Sequence, residues 1–208
     1  IKVINNDIYY ICYKDNKQAI LVPNRKSYLN WDDDYNGINN KPLMKHLPYV
    51  DLEKKHTIMI QANMGIGKTI EITRYLNEEQ FEDKTMLIIS YRVFLCSEYH
   101  KNFKDLGFKD YRDLAWTSQD DEYKRVITCF DSLSKFQGKK YDIIILDEID
   151  SVLAHSSSSL MKSQGRRQVS QQIFGYFIKK AHLVICADAN VDNQRCVSAV
   201  SYTHLRAH

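Results

Sequence analysis

Thr57-Ile58-Met59-Ile60-Gln61-Ala62-Asn63-Met64-Gly65-Ile66-Gly67-Lys68-Thr69 is the stretch on which the reading of this chain turns. A β-branched run ends in a small-residue loop, and the loop ends in Gly-Lys-Thr with a helical pattern behind it. This is the strand–loop–helix context of a phosphate-binding loop. Gly65 and Gly67 let the backbone curl so that successive N–H groups converge on one phosphate, and the following helix adds its positive N-terminal end. Lys68 brings a mobile charge for the β- and γ-phosphates, and the Thr69 hydroxyl is placed to ligate Mg²⁺. Ala62 stands where the pattern G-x-x-x-x-G-K-[ST] has its first glycine, which is tolerable only if that position keeps negative φ. The nucleotide-binding set is therefore Ala62, Asn63, Met64, Gly65, Ile66, Gly67, Lys68 and Thr69.

A second motif gives the first its partner. Ile143-Ile144-Ile145-Leu146-Asp147-Glu148-Ile149-Asp150 is an apolar strand pattern ending in two carboxylates. Such a strand delivers them to the carboxyl edge of an open α/β sheet, where ligands bind. Asp147 is then the Mg²⁺ ligand beside Thr69, and Glu148 the base that positions and deprotonates the attacking water. Asp150 reads as a helix-start carboxylate. Alone, an apolar run ending in Asp-Glu is often only a strand giving way to a polar loop; following a phosphate loop, it points to NTP hydrolysis. A small-molecule kinase would need an acceptor-binding lid and has no general use for Asp-Glu at this place.

Composition bounds the rest. The chain has 208 residues, 44% hydrophobic and 26% charged, enough for one full core. Its net charge of +3 is too small to argue for nucleic acid by itself. No apolar run reaches the length needed to cross a bilayer and no signal-peptide pattern opens the chain, so an intracellular protein without a membrane partner is expected. Cys12, Cys96, Cys129, Cys186 and Cys196 form no C-x-x-C pair. Several sit in apolar runs and read as reduced, buried thiols. The seven histidines show no metal-ligand spacing.

Along the chain, residues 8–13 and 19–22 read as a β-hairpin, followed to residue 48 by a polar, turn-rich linker. The hairpin belongs either to an edge of the main domain or to the end of a separate upstream one. Residues 68–80 and 92–106 carry helical patterns, the second ending at Gly107. Its Phe94, Leu95, Tyr99 and Phe103 are read as core. Residues 85–90, 125–130, 141–147 and 182–187 are strand patterns, with 115–118 as a short candidate and 131–136 as a short helix. A serine run at 156–159 reads as a solvated loop, and Arg166-Arg167 as an exposed charged turn, with contact to a nucleic-acid backbone as the alternative, before a helix through Ile173, Phe174, Phe177 and Ile178. Strands alternating with helices give an α/β fold, a three-layer P-loop NTPase with a largely parallel central sheet.

With both motifs in hand, the chain resembles the herpesvirus-type replication origin-binding helicases of superfamily 2. In these, alanine commonly replaces the first phosphate-loop glycine, as in Ala62-Asn63-Met64-Gly65-Ile66-Gly67-Lys68-Thr69. Ser90-Tyr91-Arg92 is similar to that family's Ser-x-Arg segment on the nucleic-acid track, and Cys129-Phe130-Asp131-Ser132-Leu133 to its strand-groove segment. Leu146 to Leu153 resembles the Asp-Glu motif. Ala187-Asp188-Ala189-Asn190 resembles the segment that couples ATP state to domain motion. Asn63 and Asn190 depart from the family, which often has proline and an acid there; the first leaves phosphate binding intact, while the second bears on the coupling role. The resemblance covers about residues 49–192 and implies the first RecA-like domain of an ATP-driven DNA helicase acting in replication. It also implies ATP and Mg²⁺ as cofactors, single-stranded DNA contacts at Arg92 and Ser132, a coupling role for Asp188, and a second RecA-like domain as partner. A viral source is implied by analogy.

The domain division expected is 1–48 for hairpin and linker and 49–199 for the RecA-like domain. Residues 200–208 resemble a translated sequencing adapter and are set aside, so the chain reads as a fragment with little activity of its own. The rival enzyme reading is the motor ATPase of a DNA-packaging or restriction system, which shares both nucleotide motifs. A non-enzymatic rival is a nucleotide-dependent interaction module.

Overall fold

A computed structural model of the chain describes residues 7–14, 18–23, 47, 49–62, 67–115, 123–157 and 164–189. Among the described residues, eight strands are present: β1 (Asp7–Lys14), β2 (Gln18–Pro23), β3 (His56–Ala62), β4 (Met86–Ser90), β5 (Lys109–Asp110), β6 (Arg125–Cys129), β7 (Ile143–Asp147) and β8 (Leu183–Asp188). Among the described residues they are accompanied by the α-helices α1 (Lys68–Leu76), α2 (Val93–Phe103), α3 (Ile149–Ser157) and α4 (Gln164–Lys180). A 3-10 segment, Phe130–Phe136, replaces the short helix expected after β6. The strands β4, β7 and β8 are buried along their whole length, as uninterrupted apolar runs require when helices cover both faces.

Among the described residues, the strands form one sheet in the order β2-β1-β3-β8-β7-β4-β6-β5, with the β1–β2 hairpin antiparallel and every other described pairing parallel. The hairpin of the sequence reading is thus an edge of this sheet, with β1 running parallel to β3. The connections β3 to β4 and β4 to β5 step across the sheet in one direction, whereas β6 to β7 and β7 to β8 step back. Right-handed crossovers then place α1 and α2 on one face, and the 3-10 segment, α3 and α4 on the other. Contacts between α1 and α2, and between α4 and the 3-10 segment, fit that division. This is the three-layer RecA-like arrangement, with β8 inserted between β3, which ends at Ala62, and β7, which ends in Asp147.

The core joins both layers through the sheet, with Tyr75, Phe81, Phe130, Phe136 and Phe177 among its largest fully buried side chains. Cys96, Cys129 and Cys186 are buried thiols outside any disulfide, as expected. Among the described residues, no helix is long and apolar enough to cross a membrane.

Several expectations are corrected. Phe94 is 71% exposed rather than core. The inward stripe of α2 is Cys96, Tyr99 and Phe103, and Phe94 falls on the opposite side of the helix. The candidate strand at 115–118 falls mostly outside the described residues, and Ala115 is not in a strand. Two residues of β5 close that side of the sheet instead, too few to leave a periodic signal. The serine run opens inside α3, where buried Ser156 donates its hydroxyl to the Leu153 carbonyl at 2.7 Å. Arg166 and Arg167 lie within α4 rather than in a turn before it.

Candidate nucleotide site

Because β3, β8 and β7 run parallel, their last residues share one edge. The register pairs Gln61 with Asp188 and Asp147 with Ala187. The backbones of β3 and β7 are therefore two strand spacings apart, about 9.5 Å, with β8 as the floor between them. Ala62 ends β3. Asn63, Met64, Gly65 and Ile66 lie outside the described residues. The backbone re-emerges at Gly67, the N-cap of α1, at φ 93° and ψ 23°. That left-handed conformation is cheap only for glycine. No side chain caps α1 there, and the first intrahelical bond is Glu71 N–H to the Gly67 carbonyl at 3.0 Å. The amides of the helix's first turn precede that bond and point along the axis toward the site.

Lys68 and Thr69 open α1 and are both half-buried. Across the edge, Asp147 is 8% exposed, and the Lys68 charge is near enough to act on it. Burial pushes the Asp147 carboxyl above the usual carboxylate range. The Lys68 charge, a hydrogen bond from the Tyr99 hydroxyl and one from the Glu148 N–H oppose that shift, and the charge of Glu148 adds to it. The Glu148 N–H donates to Asp147 Oδ1 at 3.1 Å.

Glu148 has φ 55°, the single positive φ at a non-glycine among the described residues. Such a conformation costs on the order of 1–3 kcal/mol and persists where the surroundings impose it. Here its carbonyl accepts the Val152 N–H at 3.1 Å and starts α3. The kink turns the chain from strand into helix within one residue, at the edge that carries Asp147. Asp188, at the end of β8, is 9% exposed and accepts the Asp150 N–H at 3.0 Å.

The donor set suits Mg²⁺. Among the described residues no three His, Cys, Asp or Glu side chains form a metal cluster. One carboxylate and one hydroxyl on a shared edge match an ion that keeps several waters and takes phosphate oxygens as ligands.

The DNA-contact candidates lie further along the same edge, since Ser90 at the end of β4 pairs with Cys129 at the end of β6. The Ser90 hydroxyl ties the Ser-Tyr-Arg turn, accepting the Arg92 N–H at 3.3 Å and donating to the Arg92 carbonyl at 3.2 Å. Arg92 is exposed, its guanidinium 4.9 Å from the centre of the Tyr91 ring. Ser132 is half-buried and accepts the Cys129 thiol at 3.3 Å.

Tyr99 escaped the sequence reading as a site residue. Its helical spacing marks it correctly as inward-facing, but not that it lies close enough to Asp147 for each to act on the other's proton affinity. The one hint was a tyrosine where Phe103, one turn on, manages without a hydroxyl.

Comparison with known proteins adds to this geometry. A protein of African swine fever virus named for a helicase/primase complex is 26% identical over 220 residues, covering 93% of this chain and 20% of that protein. A replication origin-binding protein of bovine herpesvirus 1.1 is 26% identical over 150 residues, covering 68% of this chain and 17% of that protein. The chain thus spans about a fifth of the length of these curated relatives. Among solved structures, the SWI2/SNF2 ATPase core of Sulfolobus solfataricus in complex with double-stranded DNA aligns at TM-score 0.49 and 12% identity, covering 72% of this chain and 31% of that one. The sequence profile of the origin of replication binding proteins matches residues 40–202, and the chain belongs to that family.

Proposed function

We propose that residues 49–199 are the first RecA-like domain of an ATP-dependent DNA helicase acting in replication. The observation that carries the proposal is that Lys68, at the start of α1 just beyond β3, and the buried Asp147, at the end of β7, share a single sheet edge with only β8 between their strands. In this reading the amides at the start of α1 and the Lys68 ammonium hold the β- and γ-phosphates of ATP. Thr69 and Asp147 hold Mg²⁺, which when bound neutralises the charge that develops on the transferred phosphoryl group. Glu148, turned out of the strand by its left-handed backbone, orients the attacking water and takes its proton.

Single-stranded DNA would follow the same edge over Arg92 and Ser132. Phe94 offers an exposed ring beside Arg92, and rings of this kind stack bases without sequence preference. Asp188 would link the nucleotide site to motion of a second RecA-like domain. That domain would supply the arginine that completes the transition state, a contribution of about 10³–10⁵ in rate. Residues 1–199 alone are accordingly expected to bind ATP·Mg²⁺ weakly and turn it over slowly.

The test is ATP hydrolysis by the full-length protein with and without single-stranded DNA. Stimulation by DNA together with strand separation supports the helicase. Hydrolysis coupled to duplex translocation without strand separation supports the DNA-packaging or restriction motor. Nucleotide binding with no turnover supports an interaction module.

A further inference from the structure

We propose that His155 is a positioning residue for the nucleic-acid track: by holding the Asp131 carboxylate against α3, it keeps that negative charge off the path of a strand passing Ser132. The inference rests on the DNA reading above and adds a residue to it. Asp131 and Ser132 are neighbours in the first turn of the 3-10 segment Phe130–Phe136. That segment follows β6 directly, at the edge where Ser90 pairs with Cys129. Residues 90–94 and 129–136 together carry two cations, Arg92 and Lys135, and one acid, Asp131. A phosphate drawn to Arg92 and Ser132 therefore has one like charge to avoid.

His155 fixes where that charge sits. It lies in the last turn of α3, and its Nε2 is 2.8 Å from Asp131 Oδ1. Facing a carboxylate, this nitrogen carries the hydrogen and donates it in either charge state of the ring. The imidazole also stands edge-on to the fully buried Phe130, with ring centroids 6.4 Å apart, so it is seated against the core. The helix behind it is held at both ends. Asp188 accepts the Asp150 N–H at 3.0 Å, and the Ser156 carbonyl accepts Gln171 Nε2 from α4 at 2.8 Å. The Asp131 side chain is 53% exposed, so without this tether its carboxylate regains rotamers on the strand side. An exposed pair of this kind adds little to stability. A like charge about 6 Å from a phosphate at an exposed edge nevertheless costs roughly 3- to 10-fold in affinity at low salt.

The test uses the full-length protein and a single-stranded oligothymidylate as the probe. His155→Ala is expected to weaken binding about 3- to 10-fold at low salt. The deficit should fade by ~0.5 M salt, where screening cuts the range of the repulsion to about 4 Å. ATP affinity should stay parental. Asp131→Asn placed in the His155→Ala background removes the charge itself and should restore parental binding, which a packing role for His155 does not allow. His155→Gln, whose amide can donate to Asp131, should keep parental binding from the start. A His155→Ala protein with parental DNA affinity overturns the assignment. So does a deficit that persists at high salt or survives Asp131→Asn, because the ring then serves the packing of Phe130; a His155→Gln protein as weak as His155→Ala does the same. The parent protein separates the two levels of inference. If it does not bind the oligothymidylate, the DNA reading fails; if it binds and His155→Ala binds identically, only the role of His155 fails.

Discussion

The carboxylate of Asp188 accepts the backbone N–H of Asp150 at 3.0 Å, so the last residue of β8 caps the first turn of α3. Glu148 begins that helix, and the bond therefore fixes the segment carrying the proposed catalytic base. Asp188→Ala is expected to cost about 1 kcal/mol of stability, the usual effect of losing an N-terminal acceptor. It should lower turnover more than ATP affinity. Asp188→Asn keeps an acceptor oxygen and should recover most of both. Thermal melts and steady-state ATPase assays of the two variants check this; an Asp188→Ala protein with parental stability would mean the bond does not form in solution.

Asp147 makes a prediction whose sign is opposite to that of a paired surface carboxylate. Its folded-state proton affinity is raised, chiefly by burial, despite Lys68 and the bonds from Tyr99 and Glu148. The folded chain thus takes up this proton before the unfolded chain does, and the contribution of Asp147 to stability grows as pH falls through its folded pKa. Near neutral pH the buried charge is a cost. Asp147→Asn should melt at or above the parental temperature without nucleotide, each ~1 kcal/mol of relief appearing as about 2–4 °C. The difference should shrink toward acid, and Mg²⁺-dependent nucleotide binding should be lost. Melting curves from about pH 8 down to about pH 4 decide it; a destabilised Asp147→Asn across that range would show that the carboxylate is structural.

The exposed Arg92 guanidinium is predicted to meet a phosphate. Arg92→Ala should weaken single-stranded DNA binding and reduce the salt dependence of the affinity by about 0.7 in log–log slope, the signature of one lost phosphate contact on a single strand. ATP affinity should stay near the parental value. Titrations at several salt concentrations measure both. Equal losses for DNA and ATP would assign Arg92 to structure, through its stacking on Tyr91.

Asp110 and Arg112 form a support at the outer end of this edge. Asp110 is 2% exposed and takes the Arg112 N–H at 2.9 Å, Nε at 2.8 Å and Nη2 at 2.6 Å, while Nη2 also reaches Ser97 Oγ at 2.6 Å. Burial raises the Asp110 carboxyl, but the bonds from Arg112 outweigh it and hold the group below its ordinary range. Arg112 is 43% exposed, so screening trims the Coulombic part. Arg112→Ala should still cost about 1–3 kcal/mol, because it leaves a buried carboxylate short of donors. The stabilisation is present above the unfolded pKa and is lost as pH falls through the depressed folded one. Denaturant unfolding at neutral and acid pH measures it; a neutral substitution would show that solvent supplies the missing donors.

What the sequence could show depended on how far each signal reached along the chain. Buried parallel strands such as Ile143 to Leu146 announce themselves through uninterrupted apolar runs, and Gly67 through the backbone a phosphate loop demands. Phe94 was misread because it is aromatic like Tyr99 and Phe103, although at 100° per residue it falls on the side of α2 opposite the buried Cys96, Tyr99 and Phe103. The β5 strand is two residues long and exists because β6 offers it an edge. The Asp188–Asp150 contact joins elements far apart in the chain, and no local pattern encodes such a meeting.

The most direct test of the nucleotide site is Glu148→Gln in the full-length protein, with ATP affinity and hydrolysis measured on the same preparation and Lys68→Ala as the contrast. The account predicts that Glu148→Gln keeps near-parental ATP affinity and loses about 10²–10⁴ in turnover, the share of a positioned general base, whereas Lys68→Ala loses affinity for the triphosphate itself. Hydrolysis by Glu148→Gln at the parental rate would contradict it.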